Sequence, residues 1–350
     1  MQRFTENNRT LTSNVIVSIV IPHYERLELL KETLHSVHLQ SIPNWEAIVV
    51  DDGSCDNVYR SVQQLGSDRV KISRRTTGVK GPSACRNLGI QTAIGEYVLF
   101  LDSDDLLAPN SIEHRLEMAR SRNDLDMLVF PVELFENTPG DLRQPWNDMR
   151  NGPFPDPLRR FLISDPPWCV SSTLWKRGAL LSIGGFNESI MYGDDSDLHI
   201  RALLAKLEYQ QYPDAQPDVY IRRSAISRIT NSCSPKLLES RRTRLHEGTA
   251  ALRRFAASEK LLELWEGQYF VEGEFLVFTQ DDSRKEIARL KELWQKDYPK
   301  NRLRNRSAYW YLRFCSIFRT RCYLAVRIAR RLAMLAFPRG WFPDQLKRKG

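Results

Sequence analysis

The stretch Val98-Leu99-Phe100-Leu101-Asp102-Ser103-Asp104-Asp105 sets three carboxylates within four positions of an apolar run. Carboxylates this close repel one another, so the arrangement calls for a neutralising partner. Hard oxygen ligands suit Mg2+ or Mn2+, which bind through one or two carboxylates plus substrate phosphates rather than in an all-protein cage. Asp102, Asp104 and Asp105 are therefore candidate metal ligands. The competing reading is structural, with Asp104 or Asp105 capping a helix that begins near Pro109.

Three other sets carry comparable chemistry. Asp52 follows "WEAIVV" and precedes Gly53-Ser54, where it serves either as a turn carboxylate or as an acceptor for a nucleobase or ribose. Arg86-Asn87 stand just past Gly81-Pro82 at a helix start. Backbone N–H groups and a guanidinium there suit a diphosphate, and a plain surface arginine is the alternative. Asp194, Asp195 and Asp197 open a helix downstream of the Gly184-Gly185-Phe186 turn. Acids in a first helical turn are favoured by the helix dipole alone. Among such neighbours, however, one acid can be kept basic enough to take a proton from a hydroxyl.

The elements that must position these groups follow from the apolar pattern. "VIVSIVIP" (15–22), "WEAIVV" (45–50), "RVKIS", the opening run and "DMLVFPVELF" read as strands, with helix-period segments between them. This order implies an α/β fold with a mostly parallel sheet flanked by helices, whose ligands bind outside the carboxyl ends of the strands. His23-Tyr24-Glu25, Asp51-Asp52 and Asp102–Asp105 all fall at such ends. Seven of the 18 prolines lie between Thr138 and Pro167, which reads as irregular loop. "CVSSTLW" and "DVYIRR" read as further strands, and "RGALLSIGGF" and "GDDSDLHIRALLA" as helices. From Pro235 onward the chain is helical in character. The expected organisation is a leader over 1–14, a catalytic domain over 15–235 and a basic helical region over 236–350.

Composition narrows the function. No GxGxxG, Walker A or HExxH run occurs, which argues against dinucleotide redox chemistry, P-loop hydrolysis and zinc peptidases. The six histidines show no ligand spacing. The six cysteines form no CxxC pair and, with no signal-peptide pattern at the start, read as reduced thiols of a cytosolic protein. The formal charge of +8 is uneven. Residues 302–350 hold 13 Lys or Arg against one acid, so the remainder is mildly acidic. The tail's partner is then distinct from what the body works on.

The ordered blocks "VSIVIPHYER", "EAIVVDDGS", "GPSACRNLGI", "GEYVLFLDSDD", "LLSIGGFNES" and "GDDSDLHIRAL" resemble the family-2 inverting nucleotide-sugar glycosyltransferases of GT-A fold, over roughly residues 15–230. The resemblance implies a nucleotide-diphosphate-sugar donor, with Pro22, Tyr24, Glu25 and Asp52 around the nucleoside and Arg86 at the diphosphate or nucleoside. It implies that Asp102 and Asp104 form a DxD motif holding donor and Mg2+ or Mn2+, with Asp105 beside it. Asp195 matches the second acid of the family's Glu-Asp pair, the general base, and Asp194 replaces the Glu. Where members often carry a histidine after the last strand, this chain has Arg222-Arg223. In family order Trp168 falls where acceptors bind, although a buried core tryptophan is the commoner finding. The implied activity is transfer of a sugar to a glycan or lipid-linked acceptor in cell-surface or extracellular polysaccharide synthesis, from the cytosolic side. A catalytically inactive module that binds a nucleotide sugar or scaffolds a partner is the alternative.

In the tail, Tyr311, Phe314, Phe318, Cys322, Ala325, Ala329 and Leu332 recur at helical spacing across 309–337, among arginines. Arginines interrupt every apolar stretch short of the ~20 residues a membrane span needs. Two readings stand: a helix packed on the catalytic domain, or a helix on an anionic membrane surface with Trp310, Trp341 and Phe342 at the interface. Nothing in the body supports nucleic acid as the partner.

Overall fold

The computed structural model describes residues 15–76, 78, 80–223, 234–255, 257–279, 283–318, 323–338 and 341. The expected leader, Cys233, Cys322 and Phe342 lie outside the described residues. The chain divides into two compact units. The first comprises Met1–Met149, Trp168–Glu188 and Ala205–Ile226, and the second Arg150–Pro167, Ser189–Leu204 and Ser227–Gly350. Two segments before residue 205 thus belong to the second unit.

The first unit is built on strands β1 (Val17–His23), β2 (Trp45–Asp51), β3 (Val70–Arg74), β4 (Tyr97–Phe100), β5 (Leu106–Leu107), β6 (Met127–Val129), β7 (Glu133–Phe135), β8 (Gln144–Pro145), β9 (Thr173–Lys176), β10 (Tyr209–Gln211) and β11 (Val219–Arg222). A seven-stranded sheet has the order β10-β6-β9-β4-β1-β2-β3, and a smaller one the order β5-β11-β7-β8. In the large sheet only β9 runs antiparallel, between β4 and β6. The fold is therefore the mixed α/β, mostly parallel arrangement expected from the sequence. Strands at its centre are covered on both faces, which is why β1, β2 and β4 are nearly unbroken apolar runs. Gly89, in the Pro82–Thr92 helix, lets that helix approach β1 closely, because a Cβ there would stand 2.2 Å from Val20 Cγ1.

Two local expectations change. "DMLVFPVELF" is two strands in two sheets, because Pro131 offers no N–H to a ladder. The proline-rich loop contains a short helix, Pro157–Leu162, whose first turn is capped by Asp156 accepting from the Leu158 N–H at 3.0 Å.

A buried ion pair anchors the sheets' flank. Arg115 donates from Nε and Nη2 to the two oxygens of Asp218, at 2.8 and 2.6 Å, and from Nη1 to the Ser171 carbonyl at 3.1 Å. Burial alone would raise the Asp218 carboxyl. The Arg115 guanidinium and His114 more than offset burial and hold it below its ordinary value of 3.8. A carboxyl lowered on folding contributes stability above that ordinary value and loses it as pH falls through the lower folded one. Arg115→Ala should therefore cost about 3–5 kcal/mol by leaving the charge unpaired. It should also shift the acid-unfolding midpoint upward. Urea unfolding at neutral pH and a pH titration followed by circular dichroism check both effects.

The second unit is helical apart from its connecting segments. Its long helices are Pro235–Arg254, Glu259–Thr279, Arg284–Asp297, Arg302–Phe318 and Tyr323–Ala336. Tyr269, Trp294 and Tyr298 pack at their centre, where the Tyr269 hydroxyl donates to Asp297 at 2.6 Å. Of the expected tail helix over 309–337, the described residues are helical up to Phe318 and again from Tyr323 to Ala336, and residues 319–322 lie outside the described set. Its inward face differs from the expected stripe. Ala308, Leu312 and Cys315 are buried, and the Tyr311 hydroxyl donates to Glu274 at 2.8 Å. Phe314 and Leu332, expected in the same stripe, are exposed. Trp341, expected at a membrane interface, is fully buried against Phe270, Trp294 and Phe337. No helix among the described residues is long and apolar enough to cross a membrane.

Candidate active site

The parallel register of β1 and β2 sets His23 beside Asp51 at their carboxyl ends. His23 Nδ1 lies 2.8 Å from Asp51 Oδ2, with both side chains buried. Asp51 also accepts from the Ser54 N–H at 2.9 Å and the Ser54 hydroxyl at 2.5 Å. Burial pushes the Asp51 carboxyl up, but these hydrogen bonds prevail and hold it below its ordinary value. Ser54 Oγ in turn accepts the Glu25 N–H at 2.8 Å, and Glu25 accepts the Cys55 N–H at 2.6 Å. Glu25 adopts a left-handed φ of 57°, uncommon for a residue with a side chain. These buried bonds hold the Tyr24-Glu25 turn at the sheet edge.

Beside this turn, Asp52 accepts from Arg75 Nη1 at 2.5 Å and from the Gly81 N–H at 2.7 Å. A cavity of about 330 Å³ opens here, lined by Asp52, Gly53, Arg74, Arg75 and Lys80. Tyr24 is exposed, with Lys80 Nζ 5.1 Å from its ring centre. Pro22 lies one step inside, paired with Val50 in the register. Of the expected nucleoside set, Asp52 lines the cavity directly.

At the end of β4, each acid has its own partner. Arg86 Nη2 donates to Asp102 Oδ1 at 2.7 Å, and Arg26 Nη1 to Asp104 Oδ2 at 2.7 Å. Asp105 turns inward and accepts the Arg222 N–H at 2.9 Å, while Arg222 Nε donates to the Asp104 carbonyl at 3.0 Å. Burial, and then the Asp102 charge, raise the Asp104 carboxyl above its ordinary value. Burial and both neighbouring aspartates raise Asp105 well above its own. Arg222 thus braces this loop. The Arg86 guanidinium also lies 5.2 Å from the Phe186 ring. Phe186 is held in turn by Asn87, whose Oδ1 accepts the Phe186 N–H at 2.8 Å and whose Nδ2 donates to its carbonyl at 2.9 Å. Gly185 has φ +64, and a Cβ there would meet Asn87 Oδ1 at 2.6 Å, so the Gly-Gly turn has to be free of side chains.

The residues fit a divalent cation of the open kind. No group of three or more His, Cys, Asp or Glu among the described residues could hold a metal by itself. Asp102 and Asp104, however, supply hard oxygens, the Asp102 side chain is 42% exposed, and the Asp104 carboxyl, raised by burial and then by the Asp102 charge, is one that a cation would relieve. One or two carboxylates plus a diphosphate meet what Mg2+ or Mn2+ requires. Asp105 is instead committed to the Arg222 N–H.

In the second unit, Asp194, Asp195 and Asp197 open the Asp194–Leu204 helix as expected. Asp195 is partly exposed, with Oδ1 2.7 Å from the Ser196 N–H. Asp197 is buried and paired with Arg201 at 2.8 Å, whereas Asp195 is partly exposed. Burial pushes His199 down to about 3, and it stacks neutral on Phe161. Trp168, in the first unit, is only 1% exposed and tilts against Tyr209. Its surroundings support the core reading rather than an acceptor contact.

Sequence reasoning placed His23 and Asp51 at strand ends without pairing them, and it did not single out Arg26 or Arg75. Both arginines sit just past strand ends, and the rule that ligands gather there could have flagged them.

Residues 18–175 match the family model described as glycosyl transferase family 2. Those residues form a family 2 glycosyltransferase domain. The family 2 domain has curated relatives of the same class. An uncharacterized glycosyltransferase of Rickettsia felis is 39% identical over 108 residues, 31% of this chain and 18% of that protein. The Escherichia coli UDP-Glc:alpha-D-GlcNAc-diphosphoundecaprenol beta-1,3-glucosyltransferase WfgD is 31% identical over 122 residues, 35% of this chain and 47% of its own length. The putative teichuronic acid biosynthesis glycosyltransferase TuaG of Bacillus subtilis is 37% identical over 113 residues, 31% and 43% of the two chains. Each match spans less than half of the relative's length. In solved structures, S. aureus TarS 1-349 in complex with UDP-GlcNAc superposes with a TM-score of 0.65 at 18% identity, over 87% of this chain and 88% of that one. The mannosyltransferase PcManGT from Pyrobaculum calidifontis, in complex with GDP-Man and Mn2+, gives 0.50 at 15% identity, over 90% and 93%. At such identities the likeness is one of fold, and the fold around the family 2 domain is the GT-A glycosyltransferase fold.

Proposed function

We propose that this chain is an inverting, divalent-metal-dependent glycosyltransferase that moves a sugar from a nucleotide-diphosphate donor to a hydroxyl of a lipid-linked glycan. The observation that carries the reading is the edge of the parallel sheet, where the Asp52 cavity and the Asp102–Asp104 pair lie at the carboxyl ends of β2 and β4, the two strands that flank β1. TarS with UDP-GlcNAc and PcManGT with GDP-Man and Mn2+ support the donor class and the metal, and WfgD and TuaG support a cell-surface glycan as product.

In this account Asp52, held by Arg75 and the Gly81 N–H, accepts hydrogen bonds from the nucleoside. Tyr24 and Glu25 flank it, on the turn fixed by Pro22 and Ser54. Arg86 neutralises Asp102 in the free protein and lies at hand for diphosphate oxygens once donor arrives. Asp102 and Asp104 would hold the cation, which when bound supplies positive charge to the departing nucleoside diphosphate. Asp195, with Asp194 beside it, takes the proton of the acceptor hydroxyl as its oxygen attacks the anomeric carbon opposite the leaving group. A single displacement of this kind inverts the configuration, as in the inverting hydrolases.

Arg26 then competes with the cation for Asp104. Arg26→Ala should raise Mn2+ affinity by up to about fivefold, the range set by ~0.2–1 kcal/mol for a partly exposed ion pair. Electron paramagnetic resonance of free Mn2+ without donor reads this directly, and unchanged affinity would move the ion away from Asp104. The donor assignment is tested by thermal stabilisation across a panel of nucleotide sugars. One nucleotide class should raise Tm in the wild type and lose most of that shift in Asp52→Ala.

A further inference from the structure

We infer that the outer face of the two tail helices is a docking surface for an anionic lipid bilayer. Thirteen large hydrophobic side chains are exposed among the described residues, and seven of them lie on these two helices. On Arg302–Phe318 they are Leu303, Trp310, Phe314 and Ile317, and on Tyr323–Ala336 they are Ile328, Leu332 and Leu335. Leu303 is 83% exposed, Trp310 60% and Leu335 86%, so these are outward-facing groups rather than half-covered edges.

The spacing makes a surface of them. Leu303, Trp310, Phe314 and Ile317 recur at three, four or seven, which puts them on one side of their helix. The opposite side carries the buried Ala308, Leu312 and Cys315, so the two helices have an inner apolar face and a second, outer one. Helices of water-soluble proteins keep that outer side polar. A second apolar face has to be covered by something.

Charge decides by what. Residues 302–336 contain nine arginines and no Asp or Glu. Arg304 and Arg330 are directed inward, to Glu263 and Glu266 and to Glu274 respectively. Arg302, Arg306, Arg313 and Arg331 have no acidic partner among the described residues. Arg302, Arg306 and Arg313 follow one another at four and seven, along one side of the apolar row, and Arg331 adjoins Leu332. An apolar ridge bordered by unpaired guanidinium groups, with an exposed tryptophan on it, matches the headgroup region of an anionic leaflet. The ridge enters the acyl boundary and the arginines stay at the phosphates. A second copy of the chain would instead place these arginines against one another with no acid to meet them.

The inference stands on this surface alone and does not depend on the transferase reading. Its test is co-sedimentation of the full chain with phosphatidylcholine vesicles containing either no phosphatidylglycerol or about 30% of it as the anionic lipid. Binding should require the anionic lipid and weaken at least tenfold between low and high salt. Two variants that leave the buried Ala308, Leu312 and Cys315 intact should each lower partitioning about tenfold or more: Trp310→Ser with Phe314→Ser, and Arg306→Glu with Arg313→Glu. Unchanged melting temperatures show that both remain folded. Equal partitioning of wild type and both variants, or none of the wild type on anionic vesicles, overturns the proposal. So does a wild-type dimer that the serine variant converts to monomer without lipid, which would assign the face to self-association.

Discussion

Asp195→Asn is expected to lower turnover by about 10²–10⁴-fold, the usual cost of removing a general base, while leaving donor affinity near the wild-type level. The amide keeps the shape of the carboxylate and the hydrogen bond from the Ser196 N–H, so a change in rate reports proton acceptance rather than folding. The same helix turn supplies its own control. Asp197 is buried and bonded to Arg201, so Asp197→Asn should act on stability more than on the chemical step. Asp194→Asn should fall between the two, because Asp194 matches the partner of the base in the resembled family and not the base. Steady-state rates with saturating donor, set beside donor affinity by calorimetry, separate the three. Near wild-type transfer in Asp195→Asn would hand the role to one of its neighbours.

Asp104→Ala is expected to abolish the metal dependence of donor binding. Losing even a group that supports a metal ligand costs about 10–100-fold, and Asp104 is assigned as a ligand itself, so the fall in metal-stimulated donor affinity should be at least that large. The substitution also releases Arg26 from its ion pair, and the freed guanidinium replaces part of the positive charge that the cation would bring to the donor diphosphate. The loss should therefore show in the response to Mn2+ more sharply than in donor affinity without metal. The fold should hold, since Asp105 and Arg222, which brace the loop, are untouched. An affinity that still rises with Mn2+ as in the wild type would contradict the assignment.

What could be read from the sequence was what covalent neighbours and periodicity encode. The runs that became β1, β2 and β4 were legible because strands buried on both faces leave no polar alternation to confuse with a helix. The acids at their ends were legible because polar groups at a parallel sheet's carboxyl edge have few structural uses. Pairings across the chain were not. Nothing local to Arg26 announces that it meets Asp104, 78 positions away, or that Asp105 turns inward to a backbone amide of β11. The tail shows the limit most plainly. Its apolar residues cover more than one face, and periodicity alone cannot say which face meets the protein. The structure buries Leu312, Cys315 and Trp341 and leaves Trp310, Phe314 and Leu332 outside. Trp168 was ambiguous for a related reason, since a tryptophan beside a proline-rich loop has the same sequence signature in a core as at a binding surface.

The central claim is tested most directly by measuring nucleoside diphosphate released from UDP- and GDP-sugars by the full chain, stripped of metal with EDTA and then supplied with Mn2+. A lipid-linked glycan is included as acceptor in one arm and omitted in the other. The account predicts release from one class of donor that needs Mn2+, rises with acceptor and is lost in Asp195→Asn. Donor that binds and stabilises the protein but is never turned over, with or without Mn2+ and acceptor, would contradict it and leave a nucleotide-sugar-binding module.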